Sequence, residues 1–354
     1  MDQGAVGDAG ASRPRGRLAL DLTLLAVAGA LLLGAFGVGV AFLYQQLYSP
    51  KAFVENYLSL LSEGLAADAL AVPGVSVNSA DLESSGLPRS ASDALLRQAA
   101  LGSLSDIRTF AETTEGDVTE VRVSYTAGGH PGSTTFLVER NGWIGVAPAW
   151  RFARSPLAVL DLTVRGSMQF QVNGFEVDKR QVSPDGVDAA PLDPVQLLVF
   201  SPGAYRIAVD TAISATSGVD VLADQPLANV PVQIQAEPTE EFVAVVQQRV
   251  DEFLAECATQ RVLQPTACPF GFVVTDRIEG DPVWSIAENP VITLTPDGGN
   301  WTIPATSASA HIDVDVVSLF DGTVSHVSED VEFLLSGTIT VQPDGSVSIR
   351  VAGA

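Results

Sequence analysis

Between Leu22 and Tyr44 the chain runs for 23 residues without a charged side chain, LTLLAVAGALLLGAFGVGVAFLY. A helix of that length rises about 34 Å, enough to cross a hydrocarbon core of about 30 Å. Arg13, Arg15 and Arg17 precede the stretch and only Lys51 follows it closely. The excess of positive charge assigns residues 1–17 to the cytoplasm and the chain beyond about residue 46 to the outside. Asp21 stands at the cytoplasmic margin, and Tyr44 and Tyr48 suit the opposite aromatic belt. A cleaved signal peptide would have a shorter apolar region, about 7–15 residues, and a small-x-small site after it. The sequence therefore predicts a disordered tail over 1–17 and an uncleaved transmembrane signal anchor over 18–46. Ala26, Ala30 and Gly34 form a small-xxx-small stripe that could pack a second helix, although Ala and Gly are common enough here to produce it by chance.

Charge divides the same way. The 354 residues carry 42 acidic and 19 basic side chains, a net −23. Residues 1–51 hold four basic and three acidic groups, so the remainder carries −24. That balance excludes a general nucleic-acid binder, which needs clustered Lys and Arg to neutralise phosphate. The composition also excludes a disordered acidic tail, because 46% of the residues are hydrophobic and only 17% charged. The exported part is expected to be repelled by anionic lipid and wall polymers, which points to a basic or cation-bridged partner.

Beyond the anchor the patterning predicts an α+β ectodomain in three modules. The first, 49–154, opens with Ser49-Pro50, a cap followed by proline at the first helical position. Phe53, Val54, Tyr57, Leu58 and Leu61 then line one helical face. A short helix is expected over 65–71, a break at Pro73-Gly74 and another helix over 90–100. Strands are expected over 106–113, 118–126, 133–139 and 143–152, with a turn at 128–132 and a hairpin at Asn141-Gly142. The second module, 156–236, reads as a small β-sandwich without convincing helix. Asn173-Gly174 and Ser201-Pro202-Gly203 are its turns, and 183–194 is a Pro- and Asp-rich loop. The third, 238–354, starts with a helix capped by Thr239, with Glu240 and Glu241 in its first turn. Its apolar face is Phe242, Val246, Val250, Phe253, Leu254 and Cys257. Strands follow over 283–287, 291–295, 310–319, 331–341 and 346–351, with turns at Asp297-Gly298-Gly299 and Asp344-Gly345.

The only two cysteines, Cys257 and Cys268, fall in the exported part, where an oxidising compartment favours a disulfide. A pair of buried thiols is the alternative; two sulfurs are too few for a metal site, and the C-x-x-C spacing of a redox pair is absent. His130 lies in a turn, and His311 and His326 in a β region, none with ligand spacing. Asp313 and Asp315 alternate onto one strand face, and Glu329-Asp330 read as a turn. Either pair could take calcium weakly, but a solvated acidic face accounts for both. Trp143, Trp150, Trp284 and Trp301 read mainly as core. The nucleophile-elbow, zinc-protease, P-loop and dinucleotide motifs are missing. No catalytic, cofactor or metal residues are assigned.

Residues 49–54, Tyr57-Leu58, Leu61 and 67–70, with the late strand ending Trp150-Arg151-Phe152, resemble a nuclear transport factor two-like cone domain. Phe170-Gln171-Val172-Asn173-Gly174, followed by Ser201-Pro202-Gly203-Ala204-Tyr205, is similar to PEGA modules. The whole plan resembles the TcaA-like group of membrane-anchored envelope proteins, although residues 1–17 lack the cysteines of a zinc ribbon. The resemblance implies a single-pass protein of the bacterial cell membrane, with a non-enzymatic binding role towards an envelope protein or wall component. Two other readings stand beside it. One is an accessory subunit joined to a membrane complex through the anchor. The other is a cone-fold enzyme, for which Asp106, His130 and Glu139 are the first-module residues to inspect.

Overall fold

The computed structural model describes residues 23–31, 47–145, 147–342 and 346–353. The chain is mixed α+β and mostly β, with a curled half-barrel sheet. Residues 23–31 are helical, while the rest of the expected anchor and the arginines before it lie outside the described residues. Among the described residues no helix is long and apolar enough to cross a membrane.

Helix α1 (Pro50–Ser62) starts where the cap chemistry dictates: the Ser49 side chain accepts from the Ala52 N–H at 3.1 Å, and Pro50 has no N–H to leave unpaired. Val54, Tyr57, Leu58 and Leu61 are its buried face. They pack on an antiparallel sheet of four strands in chain order, β1 (Leu104–Glu115), β2 (Val118–Ala127), β3 (His130–Ile144) and β4 (Ala147–Phe152). Tyr57, Phe136 and Phe152 meet there with ring centroids 5.1 to 6.2 Å apart. Helix α2 (Ala66–Ala71) is followed by Gly74, which adopts φ +82°; a Cβ there would lie 2.3 Å from the Phe152 carbonyl oxygen.

Two local expectations are corrected. Residues 90–100 do not form an α-helix; only Gln98–Ala100 makes a 3-10 turn. Ser92 instead bridges the second sheet, its N–H donating to Gln196 O and its carbonyl accepting from Leu198 N, both at 2.8 Å, and Leu95 is buried in that module's core. The helix of this region is α3 (Ser79–Ser84), set by a capping box in which Asn78 and Asp81 each accept from the other's backbone N–H. Asn141-Gly142 is not a hairpin turn but a bulge inside β3, where Gly142 takes φ +83° and the register slips by one residue.

Strand β5 (Leu157–Arg165) lies between β12 (Asn229–Gln235), which runs parallel to it, and β8 (Val195–Phe200), which runs antiparallel. Its start is apolar on both faces, Leu157 to Leu160 all being buried, whereas Asp161, Thr163 and Arg165 make the rest of one face polar. Ala158, Leu160, Leu162 and Val164 face a second sheet, ordered β11 (Val219–Ala223), β9 (Gly203–Ala208), β6 (Gln169–Val172), β7 (Phe175–Asp178). Leu157 belongs to the core under α1, and Val159 packs with Leu82, Leu87 and Leu198. Asn173-Gly174 turns β6 into β7 with φ of +51° and +83°, the two-residue geometry expected of that dipeptide. The loop expected over 183–194 is preceded by one helical turn, α4 (Lys179–Val182). Lys179 is fully buried, and its ammonium donates to the carbonyls of Pro191 and Asp193, tying that loop down.

Between the second and third units, β10 (Ser214–Ala215) pairs with β13 (Glu237–Pro238). Helix α5 (Glu240–Ala258) begins at Thr239, whose hydroxyl accepts from Phe242 N at 3.2 Å. Phe242, Val246, Val250, Leu254 and Cys257 are buried against a five-stranded antiparallel sheet in which β16 (Asn300–Val317) and β17 (Val324–Val341) form the long central hairpin. β14 (Arg277–Glu288) and the short β15 (Thr295–Asp297) flank β16, and β18 (Val347–Gly353) flanks β17. The expected strands 310–319 and 331–341 are thus parts of 18-residue strands, and Glu329-Asp330 stand in the middle of β17 rather than in a turn. The turn expected at Asp344-Gly345 lies outside the described residues.

The first two units share core residues, and the Tyr57 hydroxyl reaches across to the carbonyls of Pro156 and Ser201 at 3.3 and 3.2 Å. Leu160→Ala is expected to cost about 2–5 kcal/mol and Tyr57→Phe about 1–2 kcal/mol. In both variants circular dichroism in urea should show the two units unfolding in one transition; separate transitions would contradict a shared core.

Candidate functional site

The β16–β17 hairpin pairs residues directly opposite one another, so each pair shares a face. Ala308, Ala310, Ile312, Val314 and Val316 point into the core beneath α5. The alternate positions point outward, and there the pairs are His311 with Asp330, Asp313 with Ser328, and Asp315 with His326. These side chains form a continuous line across the hairpin. Asp330 Oδ1 lies 2.6 Å from His311 Nδ1, and His311 Nε2 lies 3.1 Å from Ser328 Oγ and 3.6 Å from Asp313 Oδ2. Asp313 Oδ1 is 3.4 Å from His326 Nε2, and His326 Nδ1 is 2.8 Å from Asp315 Oδ1. On the adjoining strand β14, Ser285 stands opposite His311, Val283 opposite Asp313 and Glu279 opposite Asp315.

Each imidazole has a carboxylate at both ring nitrogens. A neutral ring would present a lone pair to one of them, whereas the protonated ring donates to both. The hydrogen bond to Asp330 leads in raising the pKa of His311, and the one to Asp315 does so for His326, each helped by the charge of Asp313. Hydrogen bonding from Ser328, followed by the two histidine charges, holds Asp313 below the usual carboxylate value. The arrangement is a cross-strand charge relay of alternating sign on an otherwise acidic face, with Glu279, Glu288 and Glu332 exposed around it. Among the described residues no group of three or more His, Cys, Asp and Glu stands at metal-holding geometry.

The hairpin also carries an open edge. β18 covers Leu335–Val341 of β17, and among the described residues no strand pairs with the outer side of Val324–Leu334. Glu329, Asp330 and Glu332 stand on that stretch, where they oppose edge-to-edge pairing with another acidic copy.

The other residues singled out in the sequence are dispersed. Asp106 is exposed at φ +53°, His130 is exposed at the start of β3, and Glu139 pairs with Arg151 on the sheet. The interior of the first unit is filled by Tyr57, Phe136 and Phe152. His130 lines a cleft of about 450 Å³ between the first two units, with Arg206, Asp220 and Asn173; Arg206 is engaged by Asp220 and the Ser217 carbonyl. Cys257 and Cys268 are bonded, closing the end of α5 onto the segment leading to Phe270. Trp284 and Trp301 are core, but Trp143 is 59% exposed and Trp150 half-buried, a correction to the reading of all four as core. The His–Asp line was not foreseen from sequence, because it depends on pairing between residues up to 19 apart. The alternation His311-x-Asp313-x-Asp315 was its only visible half.

The chain matches no protein-family model, no curated protein and no solved structure.

Both histidines have folded pKa values raised above the ordinary 6.5, so their stabilising contribution is complete below 6.5 and is lost as pH rises through the raised values. Asp313, lowered from 3.8, contributes above 3.8 and ceases to as pH falls through its lowered value. The hairpin link is therefore strongest between these limits. Proton resonances of the two imidazoles should titrate with midpoints above 6.5 in the wild type, and His326→Gln, which removes a like charge competing for Asp313, should raise the His311 midpoint slightly; midpoints at or below 6.5 in the wild type would contradict the relay. For the disulfide, Cys257→Ser with Cys268→Ser should cost about 3 kcal/mol, and alkylation of the unfolded, unreduced wild type should label no thiol.

Proposed function

We propose that the chain is a single-pass membrane protein of the bacterial envelope whose bulk lies outside the membrane and serves as a non-enzymatic binding module. In this reading residues 49–154 form a cone-like domain, 156–236 a small β-sandwich and 238–354 a second helix-plus-sheet domain, a plan similar to that of TcaA-like proteins. The observation that carries it is the uncharged stretch Leu22–Tyr44 with Arg13, Arg15 and Arg17 on one side only. The Cys257–Cys268 bond supports an oxidising compartment. The acidic outer face of the β14–β16–β17 sheet, with its open edge, supports a basic or cation-bridged partner in the wall or on an envelope protein.

Protease added to intact spheroplasts is expected to digest the protein from its C-terminal side and to leave an N-terminal tag protected until lysis. Protection of the C-terminal portion until lysis would reverse the topology and remove the proposal's basis.

A further inference from the structure

We infer that the first unit sits directly on the bilayer, with Trp143, Trp150 and Arg140 seated in the headgroup layer beside the anchor. This rests on the membrane-anchored reading above and adds the surface that faces the lipid.

The β3–β4 hairpin supplies the placement. Arg140 pairs with Trp150 and Trp143 with Pro148, so β3 takes three steps where β4 takes two. The extra residue is the Asn141-Gly142 bulge. Without it, Trp143 would point to the opposite face from Arg140; with it, Arg140, Trp143 and Trp150 share one face. The Arg140 guanidinium accordingly lies 5.3 Å from the Trp143 ring and 5.7 Å from the Trp150 ring.

That face is the continuation of the core. One row further into the sheet it carries Val138 and Phe152, both buried. Phe152 packs against Tyr57 and Phe53 of α1, at 5.1 and 5.0 Å between ring centroids. Trp150, nearer the hairpin end, donates from Nε1 to the carbonyl of Tyr48 at 2.9 Å, just before the helix begins. Moving back along the chain from Tyr57 to Tyr48 therefore means moving down the hairpin from Phe152 to Trp150. Trp143 and Pro148 lie one row further in the same direction, beyond the start of α1.

In the membrane-anchored reading the anchor joins the first unit from the Tyr48 side, before the start of α1. The uncharged stretch ends at Tyr44, four residues before Tyr48. Four residues span about 6 Å as helix and about 14 Å fully extended, while a headgroup layer is about 5–8 Å thick. Tyr48 thus stands at or just above the headgroups, and the hairpin row beyond it reaches them. The chemistry suits that depth. Tryptophan favours the interface because its ring is apolar and its N–H polar, and an arginine stacked on it offers charge to lipid phosphate. Exposed Leu47 and Tyr48 lie on the adjoining chain. The neighbouring β1–β2 hairpin ends in Glu115 and Asp117, and its last pairing with β3 is Val118 with Glu139. Its Gly116-Asp117 turn therefore reaches about as far as the Arg140 row but not the Trp143 row, and its acids favour a zwitterionic surface over an anionic one.

The full chain reconstituted in phosphatidylcholine vesicles tests this, with tryptophan fluorescence read against the same lipid brominated at shallow acyl positions. Quenching is expected in the wild type and should fall by about half in Trp143→Phe, two rings being in the interface; buried Trp284 and Trp301 should not contribute. Circular dichroism of this exposed-site variant should be unchanged. Vesicle flotation separates the failures. Protein that floats with the vesicles but shows no lipid quenching, or quenching indifferent to Trp143→Phe, would overturn the seat and leave the anchor standing. Protein that does not float would overturn both. Trp143 shielded from brominated lipid and from aqueous iodide alike would mean that another segment or partner covers the patch, and would also overturn the seat.

Discussion

Strand β5 is the constraint on which the first two units depend. One of its faces is buried throughout and the other at its start, and its side chains enter three apolar clusters: Leu157 the core under α1, Val159 the cluster with Leu82 and Leu87, and Ala158, Leu160, Leu162 and Val164 the core between the two central sheets. Burying each of the leucines and valines among them is worth about 1.5–3 kcal/mol. The segment between α2 and β1 is consequently ordered by the second unit as much as by the first. Ser92 hydrogen-bonds on both sides of Leu197, and the Asn173 side chain donates to the carbonyls of Ala100 and Ala204. Pro156 marks where the chain changes topology, not where contact stops.

The distal sheet follows another logic. Its inner face is an ordinary apolar core closed by α5 and by the disulfide, which holds Phe270 against Trp284 and Phe333. Its outer face is held in register by paired opposite charges. In a chain this acidic, two of the three histidines are placed between carboxylates on adjacent strands. That lowers the repulsion among Asp313, Asp315 and Asp330 while leaving the surrounding face negative. The contribution is exposed to solvent and therefore salt-sensitive.

Much of the fold was legible where local chemistry decides it. The caps at Ser49 and Thr239, the apolar stripes of α1 and α5 and the Asn173-Gly174 turn needed only neighbouring residues. The errors arose where distant parts of the chain decide. Residues 90–100 have helical composition but are drawn into a bridge with β8. Asn141-Gly142 has turn chemistry, yet the same positive φ serves a bulge when strands continue past it. Glu329-Asp330 read as a turn, but they lie inside a strand whose pairing partners, Ile312 and His311, are contributed by β16. The capping box at Asn78 and Asp81 was readable and passed over. Of the candidate site, the cysteine pair and the Asp313/Asp315 face were visible in the sequence, while the histidine partners required the register.

These interactions imply that the chain from Ser49 through β12 moves as one body, with β5 at its centre. Native-state hydrogen exchange measured peptide by peptide on the full chain tests this most directly. The predicted result is that amides of α1, of β2–β3 and of Leu157–Arg165 exchange through a common opening, with one free energy and one denaturant dependence. The contrary result is α1 and the first sheet opening at markedly lower free energy while Leu157–Arg165 stays protected, which would make the two units separate bodies joined at Pro156.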